Sequence, residues 1–242
     1  MNTNKFTFLF FIFISATFLF GFNSYAQEIK GNGNVITQER TITSFTRLSI
    51  DGVFNVFINQ GEKEVVKVET DENLQSVIET INTGSTLNIK WKEKASVKKS
   101  TKMNIYVTIK DLKSIDISGV GDVSTTSILK LENMKLKISG VGNTSLEMNC
   151  KSFIADISSV GNIKLKGTAD NVSITASGTG NLKALDFIVK KLSINVGGTG
   201  NVEVYADEEI NITSSGIGNI SYKGNAVVKT MNTSGIGKVK KL

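Results

Sequence analysis

From Ile115 to the end of the chain, apolar and polar residues alternate in short bursts that return at a nearly constant interval, each burst running into glycine. Ile115, Leu136, Ala155, Ile174, Ile194, Ile212 and Met231 open the bursts, and Ile117, Ile138, Ile157, Ala176, Val196, Ser214 and Thr233 follow two residues later. The residue between is polar every time (Asp116, Lys137, Asp156, Thr175, Asn195, Thr213, Asn232). Period-two alternation predicts a strand with one buried face. A second, shorter strand is predicted beyond the glycines, led by Val123, Thr144, Ile163, Leu182, Val202, Ile220 and Val239.

The glycines belong to a phrase that occurs seven times. It reads Ser118-Gly119-Val120-Gly121-Asp122 first and Ser139-Gly140-Val141-Gly142-Asn143 next, then recurs around Gly161, Gly180, Gly200, Gly218 and Gly237. The steps between marker glycines are 21, 19, 19, 20, 18 and 19 residues. Such self-similarity marks a solenoid. These intervals leave no room for a crossover helix, so the strands stack as rungs, each covering the apolar side of its neighbour. The expected fold is all-β: a parallel β-helix with 19–20 residues per rung, right-handed by the chirality of strand crossovers. The marker glycines are expected at a corner that needs positive φ or close approach between rungs. Asn143, Asn162, Asn181, Asn201 and Asn219 follow them and are expected to stack as an amide ladder. A calcium-binding β-roll is the other reading of glycine-asparagine corners. Its period is half of this one, and Val202 stands where a liganding Asp would be needed. No metal or cofactor is expected.

Upstream, residues 27–110 read as an N-terminal β region that caps the solenoid of 111–242, the two forming one continuous domain. Leu48 and Ile50 alternate before an Asp51-Gly52 turn, and Phe54, Val56 and Ile58 alternate after it. Glu64–Thr70, Thr86–Trp91 and Met103–Ile109 are further strands, and Asp71–Glu79 is a short helix or turn with Asp71 as its cap. Gly31-Asn32-Gly33-Asn34-Val35 reads as an imperfect early copy of the corner phrase.

Met1–Ala26 is an export signal: Lys5, an apolar run over Phe6–Phe22, then a small-residue cleavage site at Ser24-Tyr25-Ala26. The protein is therefore expected in the periplasm, on the cell surface or outside, with no stable membrane span after cleavage. No cysteine stands directly after the apolar run, which argues against a lipid anchor. Histidine is absent, which removes the commonest general base and metal ligand. The single Cys150 cannot form an internal disulfide and reads as a half-buried small residue.

Charge is concentrated in one place. Lys90, Lys92, Lys94, Lys98, Lys99 and Lys102 stand against Glu93 alone, a local +5 that equals the excess of the whole chain once Lys5 leaves with the signal. The loop, with Trp91 beside it, is a candidate contact (Trp91, Lys92, Lys94, Lys98, Lys99, Lys102) for an anionic surface or glycan. The plain alternative is a solvated hairpin tip. Nucleic acid fits poorly, since Arg40 and Arg47 are the only arginines and one aromatic offers no stacking platform.

Taken together, Gly31–Val35, Phe45, Leu48, Ile50, Gly52, Val56, Gln60-Gly61, Leu87-Asn88-Ile89 and the repeated Ser-Gly-x-Gly-Asn resemble the head GIN domain family of putative autotransporter adhesins. The resemblance implies a right-handed β-helix-like fold and adhesion. It departs from an autotransporter in that no translocator barrel follows Leu242, and from the phrase at Ser159 and Lys238. The expected function is that of a non-enzymatic envelope or surface protein whose rigid rod binds glycan or protein. The alternative is a polysaccharide-cleaving β-helix enzyme with Asp116 and Asp156 as a carboxylate pair two rungs apart. A third reading is assembly through sheet edges or solenoid ends.

Overall fold

The structure, a computed structural model, describes residues 28–242. The export signal read over Met1–Ala26 lies outside them. Ser114–Ile117, Leu129–Ile138, Thr144–Ile157, Ile163–Ala176, Phe187–Val196, Glu209–Ser214 and Val227–Thr233 carry the alternating bursts, and each pairs in parallel with the next. Beyond the corners, Val123–Thr125, the starts of the two fourteen-residue strands, Leu182–Ala184, Val202–Tyr205, Ile220–Lys223 and Val239–Lys241 form a second parallel stack. The chain is a β-solenoid, as its repeat predicts.

Register is held in phase along the rod. Ile115, Leu136, Ala155, Ile174, Ile194 and Ile212 lie one above another in one inward column, and Val123, Thr144, Ile163, Leu182, Val202 and Ile220 in another. All twelve are buried. Burial of each Ile or Leu contributes about 1.5–3 kcal/mol, and a one-residue slip would turn a whole column outward. Phe153 and Phe187 fill the remaining side edge to face, with centroids 5.9 Å apart.

The corners decide how closely coils approach. Gly180 has φ +145, and a Cβ built on it would lie 1.9 Å from the carbonyl oxygen of Gly161 one coil below. No side chain fits there. Ser159, in the place of the first corner glycine, is the exception. It is buried with its Oγ unpaired, beside a void of about 30 Å³ also bounded by Ala176 and Gly178.

Two further coils lie beneath the first full copy of the phrase, so the solenoid begins before Asp111. Arg47–Asp51 and Asn55–Gln60 pair in parallel under Ser114–Ile117 and Val123–Thr125. Thr86–Trp91 and Met103–Ile109 pair in parallel under those in turn. Spatial order is therefore not chain order. The chain lays down 47–60, leaves, returns beneath as 86–109, and then passes through 110–113 to start the coil above. Antiparallel strands close the lower end, as the sequence suggests. Val65–Asp71 lies on Met103–Ile109, Val35–Arg40 on Val65–Asp71, and Ile78–Thr83 on Thr86–Trp91.

Two sequence expectations are corrected here. Gly31–Val35 is not a corner, because Val35 starts an antiparallel strand and Gly33 N–H donates to Asp71 Oδ1 at 2.7 Å. The segment after Asp71 is a 3-10 helix over Glu72–Val77, and Asp71 makes no side-chain cap on it. Its carboxylate instead accepts the Thr101 N–H at 2.7 Å and the Thr101 hydroxyl at 2.9 Å. Burial pushes this carboxyl up, but those bonds and the one from Gly33 outweigh it and hold it below the ordinary value.

Two predictions follow from these contacts. Gly180→Ala should cost about 3–5 kcal/mol, from backbone strain plus overpacking. Gly33→Ala meets nothing within 4 Å at φ +83 and should cost only about 1–2 kcal/mol. Equal denaturant midpoints for the two variants would contradict the corner geometry. Asp71→Ala should lose about 1–3 kcal/mol. Because the folded pKa is depressed, the Asp71 contribution is full above its unfolded value near 4 and fades as pH falls through the folded value. The wild type and Asp71→Ala should therefore converge in melting temperature in acid.

Candidate functional site

Three rows of outward side chains run up the corner edge. In the asparagine row, Oδ1 of Asn143 accepts the backbone N–H of Asn162 at 3.2 Å, and the link repeats from Asn162 to Asn181 (3.2 Å), Asn181 to Asn201 (2.9 Å), Asn201 to Asn219 (3.0 Å) and Asn219 to Lys238 (3.0 Å). Asp122 accepts the N–H of Asn143 at 2.8 Å, and Asn55 that of Asp122 at 3.2 Å. The recurring bond is side chain to backbone. Direct amide-to-amide contacts at Asn162 and Asn181 (3.3 and 3.1 Å) supplement it. Next to this row stands a β-branched ridge, Val53, Val120, Val141, Val160, Thr179, Thr199, Ile217 and Ile236, bridged coil to coil. Serines 118, 139, 158 and 177 line its other side.

The lysine loop occupies the position of a glycine corner in the lowest parallel coil, between Thr86–Trp91 and Met103–Ile109. It is no hairpin tip: its Ser96–Lys99 strand pairs in parallel with Glu28–Lys30. Trp91 packs half-buried on Phe54, centroids 5.1 Å apart, and so braces the coil above. Lys98 Nζ lies 2.9 Å from Glu28, Lys102 Nζ 2.9 Å from Glu69 and Lys90 Nζ 3.8 Å from Glu79. Lys102, with Asn104 and Tyr106, holds the Glu69 carboxyl below its ordinary value. Lys92, Lys94 and Lys99 form no ion pair among the described residues.

A feature that sequence reasoning missed lies on the flank formed by the pre-corner strands. Three depressions follow one another along it. The lowest, about 470 Å³, is bounded by Thr83, Thr86, Asn88 and Lys90. The middle one, about 830 Å³, holds Arg47, Lys113 and Lys135 with Thr46, Ser85 and Ser114. The upper, about 370 Å³, presents Ser152, Asn171, Ser173, Ser193 and Asn211. The middle depression sits where 110–113 climbs past the 47–60 coil. Lys113 N–H donates to Thr46 O at 2.7 Å, and Lys135 N–H to Lys113 O at 2.9 Å. Residues far apart in the chain meet there because of the inverted coil order, which no local pattern announces.

Groups able to do covalent chemistry are few. Among the described residues no three His, Cys, Asp or Glu side chains cluster as for a metal ion. Burial, with a smaller push from Asp170, raises the Cys150 thiol to about 11, so it stays protonated. Asp116, Lys137 and Asp156 stack on successive coils of an open sheet face, and Lys137 Nζ lies 3.8 Å from Asp116.

Solved structures place the architecture among known ones. A putative adhesin from Bacteroides fragilis is 26% identical, with a TM-score of 0.84 over 88% of this chain and 100% of that one. A putative lipid binding protein from Parabacteroides distasonis (24% identity, TM-score 0.70, 89% and 100% covered) and a putative adhesin from Parabacteroides merdae (24%, 0.65, 89% and 99%) share the fold. No curated protein matches the chain. The family described as "Putative auto-transporter adhesin, head GIN domain" matches residues 44–226, which run from beside the buried Phe45 to the buried Ala226, and the chain belongs to that family.

Proposed function

We propose that the protein is a non-enzymatic, adhesin-like envelope or surface protein that binds glycan or protein along the side of its β-rod. The observation that carries this reading is the line of three depressions on one flank, where hydroxyl and amide side chains stand among charged ones, held in register by the sheet beneath. Membership in an adhesin family fits an exported or surface protein. No described helix is long and apolar enough to cross a membrane. A rigid face with repeated polar rows suits recognition of a repeating partner, because its side chains are ordered before contact and little entropy is lost on binding.

The enzyme reading rests on Asp116 and Asp156. Two coils separate them by roughly 9–10 Å, and Lys137 stands between with its ammonium near Asp116. Lys137 and Asp156 lie exposed on that sheet face, and alternating charge there is ordinary cross-strand pairing.

Immobilised residues 27–242 should retain a component of a bacterial envelope extract or of a glycan panel, and blank results at high protein concentration in both assays would defeat the binding reading. Incubation with acidic polysaccharide should release no reducing ends, with or without Asp156→Asn. Release that this substitution abolishes would establish the enzyme instead.

A further inference from the structure

We propose that the flank trough is a site for a linear uronic-acid polysaccharide, its carboxylates seated on Arg47, Lys113 and Lys135 in the middle depression. This rests on the binding reading above and names the ligand class. Arg47 and Lys135 occupy equivalent outward positions on either side of Ser114, each paired in register with it. They are thus two coil steps apart, roughly 10 Å, a spacing on the order of two sugar lengths in an extended chain. Lys113 lies beside Ser114 on the same rim. None of the three forms an ion pair among the described residues, whereas Glu132 in the same depression is taken up by Lys151. Asp111 is the opposing charge that stays in place.

The chemistry of the rest of the trough favours a sugar chain over a peptide. The floor strands of its middle and upper depressions are paired on both sides within the sheet, so an incoming peptide finds no free edge for backbone hydrogen bonds there. Phe153, Val172 and Leu192 beneath the upper depression are buried, which leaves Ile154 and Ile81 as the exposed large apolar side chains of the lining, too few to form a row of side-chain pockets. Serine, threonine and asparagine side chains above and below the cations match the hydroxyls of successive sugars. The three depressions lie in line, so a ligand that spans them gains from length as well as charge.

Calorimetry with a long oligogalacturonate, galacturonate dimer, a neutral galactan and polyglutamate tests the assignment. The long acidic oligomer should bind and weaken with salt, while the dimer and the neutral polymer should bind far less. Arg47→Gln with Lys135→Gln should cost about tenfold in affinity, as expected for two exposed charge contacts. Asp111→Asn should tighten binding, and Lys92, Lys94 and Lys99→Gln together should leave it unchanged. These positions face solvent, so unaltered melting curves will confirm that the variants fold. Binding indifferent to Arg47→Gln/Lys135→Gln, or equal affinity for polyglutamate, would overturn the site. If that double variant still captures its envelope partner, the uronate assignment falls while the adhesion reading stands; if the wild type captures nothing, the reading beneath it falls too.

Discussion

The rod depends on a steric contact: the backbone of each marker glycine rests on a carbonyl one coil below (that of Phe54 under Gly121, that of the preceding marker glycine under the others), with no volume left for a Cβ. That contact fixes the distance between coils at the corner and keeps the inward columns aligned. Aligned columns let isoleucine stack on leucine and valine without large voids, and the dry core follows from the glycine spacing as much as from hydrophobicity. Ser159 shows the constraint from the other side. A side chain at that corner has to turn inward, its hydroxyl is stranded, and a small void opens next to it.

Asparagine has a related reason to recur. At the residue after the marker glycine, the backbone N–H of the coil above finds a side-chain oxygen in place of a carbonyl. Asn and Asp both supply that oxygen, which is why Asp122 serves as well as Asn143. Lys238 takes part in the row through its backbone N–H, which donates to Asn219 Oδ1, and among the described residues its side chain receives no such bond. Each bond contributes on the order of 1 kcal/mol, but the row also fixes register along the rod.

The coils marked by the phrase were legible because burial and backbone strain act locally and repeat. The 47–60 coil was not recognised as one of them, for a physical reason. Phe54 stands where the marker glycine would be, and it fits because the coil below has the lysine loop in place of a corner, leaving room for the ring against Trp91. The loop itself looked more basic than it is, since Glu28 and Glu69 reach it from strands distant in sequence. The trough could not be read at all, because Ser85, Arg47, Lys113 and Lys135 are neighbours only after the chain doubles back beneath its own earlier coil. The recurring phrase described the scaffold, and the candidate binding surface formed where that phrase breaks down.

The doubling back also governs how such a chain can be assembled. A polypeptide delivered amino end first makes the 47–60 segment early, yet both layers that cover it, 86–109 below and 114–125 above, come later. The base can close only once some eighty residues beyond its start have emerged. After that, each new stretch of about twenty finds a finished template on which to lie. Assembly is therefore slow to begin and quick to extend, and a lesion in the cap should delay the entire rod, whereas one in the last coil should spare everything laid down before it.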